Sequence, residues 1–384
     1  MSFYSRPVAV LALMAFGVAG TVLGTGLAPS ASASPTEPPK PPPPSAHSIS
    51  PRLVGTDAFM PGQPYSGDFP DPTILRVKGV YYAYSTTIGS LNLPMVSSRY
   101  LHGWKARRTT GRGKNATHDA MPRAASWART RKVDGHDFST TWAPSVAHIK
   151  KTYVVAYATP PRKRPLGSMC ISIATASSPI GPFVDRTRHA LVCPGDQNAI
   201  DPQIFTTPDG SHWLLYKTEG VPGVVPARLW VRKLNAHATA FGATSAPWLL
   251  LETQDPWEGN TIENPAMILV GGRYYLFYSA NNYTTDAYAT GYAVCSTVRG
   301  PCTRAATNPL LASGGSVAGT GGAMPFRDPQ GGLRLAYAAW TSGHTGYSTS
   351  RTCLKAPTGC NQRRMHVATL GIGAGGVLTV LSRG

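Results

Sequence analysis

One short unit occurs five times in this chain and constrains its fold more than any other feature. Each copy has a head that leads into a strand-like run, then a turn, then a second run rich in tyrosine or tryptophan. The copies read FPDPTILRVKGVYYAYST from Phe69, WAPSVAHIKKTYVVAYAT from Trp142, IDPQIFTTPDGSHWLLYK from Ile200, TIENPAMILVGGRYYLFYS from Thr261 and GTGGAMPFRDPQGGLRLAYAAW from Gly319. In the fourth copy the runs Met267 to Val270 and Tyr274 to Tyr278 flank Gly271 and Gly272, a strong short-range signal for a hairpin. With Pro72, Pro144, Pro202, Pro265 and Ala323 as equivalent points, the units stand 72, 58, 63 and 58 residues apart. Hairpins recurring at that interval, with further short strands between them, predict blades of about four strands in an all-β, five-bladed propeller.

Composition agrees. The 384 residues include 40 Gly, 35 Pro and 17 Tyr with only 14% charged, as many short strands and turns around a large core require. A parallel α/β fold would need helical segments of about 10–15 residues between strands, and the spacers here are rich in Gly, Pro, Ser and Thr instead.

The N-terminus reads as a targeting segment, residues 1–33. Arg6 supplies a basic start, Val8 to Ala28 is uncharged and mostly apolar, and Ala31-Ser32-Ala33 offers a small-residue cleavage site before Ser34. The competing reading is an uncleaved membrane anchor; the Gly and Thr content and the Ala-x-Ala ending favour cleavage, hence a secreted, extracellular protein. Residues 34–50 form a proline-rich spacer, and 51–384 the propeller domain. All six cysteines lie in the exported part, an even number that suits an oxidising compartment. Sequence neighbours suggest Cys170 with Cys193, Cys295 with Cys302 and Cys353 with Cys360, although six cysteines allow 15 pairings. No CxxC occurs and no cysteine has a His at zinc-finger spacing.

Three heads carry a carboxylate: Asp71 in FPDP, Asp201 in IDPQ and Glu263 in IENP. Innermost strands of a propeller surround one axis, so equivalent positions converge on one funnel. Carboxylates brought together there repel one another, and with partial burial at least one should hold its proton to higher pH. Glycoside hydrolysis needs that pairing, one protonated acid for the leaving oxygen and one ionised base for water. Asp and Asn beside Pro are also ordinary turn formers, and the repetition is what favours chemistry. Asp68, in the loop-like SGDF, and Glu258, in DPWEGN, fall outside the repeat positions; Glu258 is expected to make a loop or rim contact.

The ordered set FPDP, TTWAPSV, AIDPQIF and IENPAMI followed by YYLFYS resembles glycoside hydrolase family 43, five-bladed propellers that cleave arabinose- and xylose-containing polysaccharides with inversion. The resemblance covers the domain from about Asp57 onward. It implies Asp71 as general base, Glu263 as general acid, Asp201 as the residue that tunes and orients the acid, and Trp142 as a wall of the sugar pocket. Inversion then requires acid and base about 6.5–9.5 Å apart. The segment YSANNYTTDAYATGYAVCSTVRGPC is similar to exo-acting α-L-arabinofuranosidases of the family, with Ser279, Asn281 and Asn282 as candidate readers of furanose hydroxyls. The implied activity is removal of α-L-arabinofuranosyl residues from arabinan or arabinoxylan, with β-xylosidase, endo-arabinanase or a non-catalytic carbohydrate-binding propeller as alternatives.

Many family members place a His in the fifth repeat that serves an axial ion, often calcium. Here the run is Gly319-Thr320-Gly321-Gly322, so the expected ligand is absent; His136, His148 and His344 form no ligand spacing, and the chemistry requires no metal. The net charge is +18, from 36 basic and 18 acidic residues. Lys105 to Lys132 contains nine of the basic residues and is expected to be a long insertion, either simply solvated or retaining the protein on an acidic polymer such as pectin or an anionic cell wall. Export and the lack of a base-reading motif argue against nucleic acid.

Overall fold

The computed structural model describes residues 67–88, 91–106, 119–133, 136–348 and 361–384. The proposed signal segment, the spacer, Cys353 and Cys360 lie outside them, as does the middle of the basic insertion. Five antiparallel sheets form five blades, each built from consecutive stretches of chain. Blade 1 comprises β1 (Thr73–Val77), β2 (Val80–Tyr84), β3 (Met95–Ser98) and β4 (Lys105–Ala106). A two-stranded hairpin, β5 (Arg131–Val133) and β6 (His136–Phe138), follows within the insertion. Blade 2 has β7 (Trp142–Ile149), β8 (Thr152–Thr159) and β9 (Cys170–Ala176). Blade 3 has β10 (Ala199–Thr206), β11 (His212–Thr218), β12 (Arg228–Lys233) and β13 (Trp248–Glu252). Blade 4 has β14 (Ile262–Val270), β15 (Arg273–Ala280), β16 (Ala289–Cys295) and β17 (Cys302–Arg304). Blade 5 has β18 (Val317–Arg327), β19 (Leu333–Thr341), β20 (Arg364–Ile372) and β21 (Leu378–Ser382).

Blade 2 departs from the expected four strands. Where a fourth would run, the chain makes only isolated bridges, Val184 to Thr175 and Val192 to Ile171. Pro179 and Pro182 lie in that stretch, and proline removes the donor a ladder needs. The Cys170–Cys193 disulfide ties the stretch back to β9, and Cys295–Cys302 joins β16 to β17, so both pairings form as neighbours in sequence.

Between blades the sheets pack face to face through apolar clusters. Leu215, Leu229, Met267 and Leu276 join blades 3 and 4; Tyr275, Phe277, Leu335 and Tyr337 join blades 4 and 5. Phe69, Ile74, Met365 and Ala336 close the ring between blades 5 and 1. Among the described residues no strand crosses from one blade into another, and the ring closes through this packing and polar contacts: Phe69 N–H donates to the Arg363 carbonyl, and the Arg363 N–H donates to Asp68 Oδ1, both at 2.8 Å.

Glu258 is completely buried rather than on a rim. Its Oε1 accepts from the Tyr278 hydroxyl at 2.9 Å and Arg304 Nε at 2.7 Å, and Oε2 accepts from the Gln254 and Asp255 N–H groups and Arg304 Nη2. It anchors the loop before β14 to the outer strand β17. Because deleting one partner of a buried ion pair typically costs about 3–5 kcal/mol, Glu258→Ala is expected to lower stability by roughly that amount. Denaturant unfolding followed by tryptophan fluorescence measures it.

Candidate active site

The five landmark positions meet at the axis. Asp71-Pro72, Ala143-Pro144, Asp201-Pro202, Asn264-Pro265 and Gly322-Ala323, with Met324, line a single cavity. The residue before each Pro or Ala landmark has a left-handed backbone: φ is 52° at Asp71, 39° at Ala143, 55° at Asp201, 49° at Asn264 and 63° at Gly322. In blades 2 to 5 these residues sit in a bulge, where the ladder slips between Trp142 and Ser145, Ile200 and Gln203, Glu263 and Ala266, and Gly321 and Met324. The bulge also explains proline inside an inner strand, since the extra residue leaves the ladder and needs no N–H partner.

This register changes one expectation. Asp71 and Asp201 are equivalent, but the equivalent residue of blade 4 is Asn264; Glu263 stands one position earlier, where blade 2 has Trp142 and blade 3 has Ile200. The bulge brings both members of the Glu263-Asn264 pair to the site, because a left-handed residue turns the chain where regular alternation would send successive side chains to opposite faces. Asn264 N–H donates to Asp201 Oδ2 at 3.0 Å, which links blades 3 and 4 directly.

Each carboxylate is held by neighbours that the repeat pattern did not single out. Asp71 Oδ2 accepts from Thr86 Oγ1 at 2.7 Å, and Thr86 Oγ1 in turn accepts from the Ala143 N–H; Asp71 Oδ1 meets Arg363 Nη1 at 3.2 Å. Glu263 Oε2 pairs with Lys217 Nζ at 2.9 Å, and its Oε1 accepts from the Tyr288 hydroxyl at 2.6 Å. Lys217 is a lysine inside an aromatic and aliphatic strand, HWLLYKT; that is the signal for a paired buried cation, since lysine is rarely buried otherwise. Arg363 and Tyr288 carry no such signal in their local sequence.

Burial pushes the Asp201 carboxyl well above the usual range, and the charge on Glu263 adds to this. Burial alone would raise Glu263 as well, but Lys217, the Tyr288 hydroxyl and Arg363 outweigh it and hold Glu263 below the ordinary carboxylate range. Three carboxylates therefore face two cations, Lys217 and Arg363, and of the Asp201–Glu263 pair burial favours the protonated form most strongly at Asp201. Beside them, burial pushes Asp68 up to about 7 against the pull of the Arg363 N–H and guanidinium.

Arg363 is buried, with the rings of Tyr283 and Tyr288 each 5.5 Å from its guanidinium carbon. It shares the axis with two glycines. A Cβ on Gly322 would lie 2.5 Å from Asp71 Oδ1, and one on Gly321 would lie 2.0 Å from the Tyr288 ring. Neither position has room for a ligating side chain, and among the described residues no group of three or more His, Cys, Asp or Glu side chains is arranged to hold a metal. The His that would serve an axial ion has no counterpart at Gly321 or Gly322.

Trp142 is half-buried beside the ring, with its Nε1 buried and lacking a hydrogen-bond partner. Asn281 is not among the residues lining the axial cavity. It has φ 75°, donates through Nδ2 to the Trp257 carbonyl at 3.3 Å and accepts from the Asn282 N–H, so its amide is engaged within its own loop. Ser279 Oγ accepts from the Gly322 N–H and ties blade 4 to blade 5.

Comparison with known proteins agrees with this architecture. The arabinan endo-1,5-alpha-L-arabinosidase A of Aspergillus niger is 27% identical over 229 residues, covering 53% of this chain and 65% of the relative, just under two thirds of its length. Among solved structures, a thermostable family-43 glycoside hydrolase superposes with a TM-score of 0.64 at 23% identity, over 82% of this chain and 93% of that one. An endo-1,4-beta-xylanase from Bacteroides thetaiotaomicron superposes with a TM-score of 0.62, also at 23% identity, over 82% and 95%. The sequence profile described as Glycosyl hydrolases family 43 matches residues 63–358, and with that match over most of its length, on top of the five blades and their axial carboxylates, the chain belongs to this family of glycoside hydrolases.

Proposed function

We propose that this protein is secreted and removes α-L-arabinofuranosyl residues from arabinan or arabinoxylan by a single displacement with inversion. The observation that carries the reading is the difference in access among the three carboxylates. The side chains of Asp71 and Glu263 are 16% and 14% exposed, while Asp201 is 7% exposed as a residue. Two groups can touch substrate, and the third can store and tune a proton.

In this scheme Asp71, held by Thr86 and Arg363, takes a proton from water as the water oxygen bonds to the anomeric carbon. The glycosidic C–O bond breaks, and Glu263 passes the proton shared with Asp201 to the departing oxygen. Exchange with solvent then returns the proton from Asp71 and reprotonates the acid pair. Trp142 offers an apolar wall to the sugar. Tyr283 stands beside the Arg363 guanidinium and Tyr347 donates to Asp68, and in this reading their rings limit the pocket to one terminal sugar rather than a chain running through. The name of the Aspergillus niger relative favours a second reading, internal cleavage of arabinan, and product size separates the two.

Removing a general acid or base costs typically 10²–10⁴-fold. Glu263→Gln and Asp71→Asn are each expected to lose activity on linear arabinan by roughly that factor while the folded protein still binds it. Wild-type protein should release arabinose alone; a ladder of oligosaccharides indicates internal cleavage, and xylose from xylo-oligosaccharides a xylosidase. Activity is expected to survive exhaustive chelation with EDTA, and loss restored by calcium would refute the metal-free reading.

A basic surface joins the insertion to the loop after β8. Arg131 and Lys132 on β5 and Arg162 and Lys163 after β8 are exposed, and the two segments are joined by the Arg129 N–H to Pro160 carbonyl and the Arg162 N–H to Trp127 carbonyl bonds. We propose that it holds the enzyme against acidic wall polymer. Retention on immobilised polygalacturonate should fall steeply between low and physiological salt and weaken further in Lys163→Glu; retention indifferent to salt would exclude the electrostatic account.

A further inference from the structure

Lys217 is only 2% exposed, yet its charged end lies at the centre of the site. It projects from β11 at the point where that strand pairs with Ile200, the neighbour of Asp201, and it reaches across to Glu263 on β14. Both oxygens of Glu263 are thereby occupied by donors, Lys217 on one and Tyr288 on the other. A carboxylate with a partner on each oxygen is fixed in orientation; Lys217 favours its ionised form, and the Tyr288 hydroxyl, which also reaches Asn264 Oδ1 at 3.0 Å, can donate there and accept from Glu263 when it carries a proton. The charged groups around it are Asp201 from β10, Glu219 after β11, Asp71 before β1 and Arg363 before β20. Lys217 stays charged in their company: burial opposes its charge, but Glu263, Glu219 and Asp201 outweigh that.

We propose that Lys217 is the positioning residue for the acid: its ammonium fixes the Glu263 carboxylate between blades 3 and 4 and sets the pH window in which the Asp201–Glu263 pair carries the one proton that the reaction consumes. This rests on the hydrolase reading with Glu263 as acid. When Glu263 releases its proton to the leaving oxygen, it becomes the carboxylate that Lys217 and Tyr288 are already placed to bind. The charge formed in the transition state therefore meets donors that need no rearrangement. Lys217 strengthens the acid, and the same attraction brings forward the pH at which the pair loses its proton.

The sign follows. Without the ammonium the pair holds its proton more tightly, so the alkaline limb of activity must move to higher pH. An opposite charge within about 4–6 Å is worth roughly one to three pH units, so Lys217→Met is expected to move that limb in kcat/KM up by at least about one unit and to lower kcat at the optimum. Lys217→Arg retains a cation and should keep the limb near the wild-type position.

The measurement is the pH dependence of kcat and kcat/KM for wild type, Lys217→Met and Lys217→Arg on linear arabinan. A raised alkaline limb in the Met variant that Arg restores supports the proposal. Lower activity with an unmoved limb overturns it and leaves the hydrolase reading intact, whereas a wild-type protein that releases no sugar overturns the hydrolase reading and this proposal together. Should Lys217→Met fail to fold, carbon-13 titration of wild-type glutamate carboxyls, with Glu263→Gln to identify the signal, decides the matter. A Glu263 signal with a second step inside the pH range of activity supports a proton held by the Asp201–Glu263 pair, and a single step below that range overturns the role.

Discussion

Five inner strands run to one axis, and the room left there decides most of what this protein is. Strands that close together cannot all present regular pleats, and each answers with one left-handed residue next to its proline or alanine landmark. Such a backbone is cheap for Gly and tolerable for Asp and Asn, and it costs more for other residues. Asp71, Asp201, Asn264 and Gly322 follow that preference, with Ala143 the exception at φ 39°. The residue types that suit the strained position also carry the chemistry, so a steric demand of the fold places carboxylates on the axis.

Gathering carboxylates is only half of the arrangement, because unpaired buried charge is strongly unfavourable. The compensating groups come from neighbouring blades: Lys217 from blade 3 to Glu263 of blade 4, Arg363 from blade 5 to Asp71 of blade 1, and Thr86 of blade 1 to both Asp71 and the Ala143 backbone of blade 2. Gln203 adds a reciprocal pair of bonds with the Met267 backbone across blades 3 and 4, and Ser145 accepts from the Ile204 N–H across blades 2 and 3. The contacts that orient the reacting groups are the same ones that hold adjacent blades in register. Positioning and assembly are here one set of interactions.

The contrast between what the chain reveals in one dimension and what only packing discloses follows from this. Head, turn and aromatic strand are local, so the hairpins, the five blades and the landmark prolines are legible, and two of the neighbour disulfides form as read. Register is not local. IENP differs from IDPQ in placing Asn264 between the carboxylate and Pro265, but that both Glu263 and Asn264 reach the site follows only from the bulge at that point of the ladder. The partners of the carboxylates lie further still from view: Tyr288, Arg363 and Thr86 sit in connecting segments whose composition is that of any loop, and Lys217 betrays itself only by being charged amid Trp213, Leu214, Leu215 and Tyr216. Glu258 looked peripheral because it falls outside the repeat, yet distance from the repeat does not measure depth; with Tyr278 and Arg304 at hand it is completely buried.

The junction between blades 5 and 1 joins these strands of argument. A ring without a shared strand must be held there by side chains, and Arg363 bears much of that task through its backbone, which donates to Asp68 and accepts from Phe69, while its guanidinium reaches Asp71. Tyr347 donates to Asp68 from the same side, and Tyr283 and Tyr288 flank the guanidinium. The aromatic rings shield this charge from water, and the short side of the ring at Gly321 and Gly322 is what admits Tyr288 and Asp71 so closely. Any loosening of the seam would withdraw Arg363 from Asp71 and leave that carboxylate without its cation. The residue that completes the fold is thus also the one that keeps one of its carboxylates paired, and glycine in the fifth repeat is the condition that allows both.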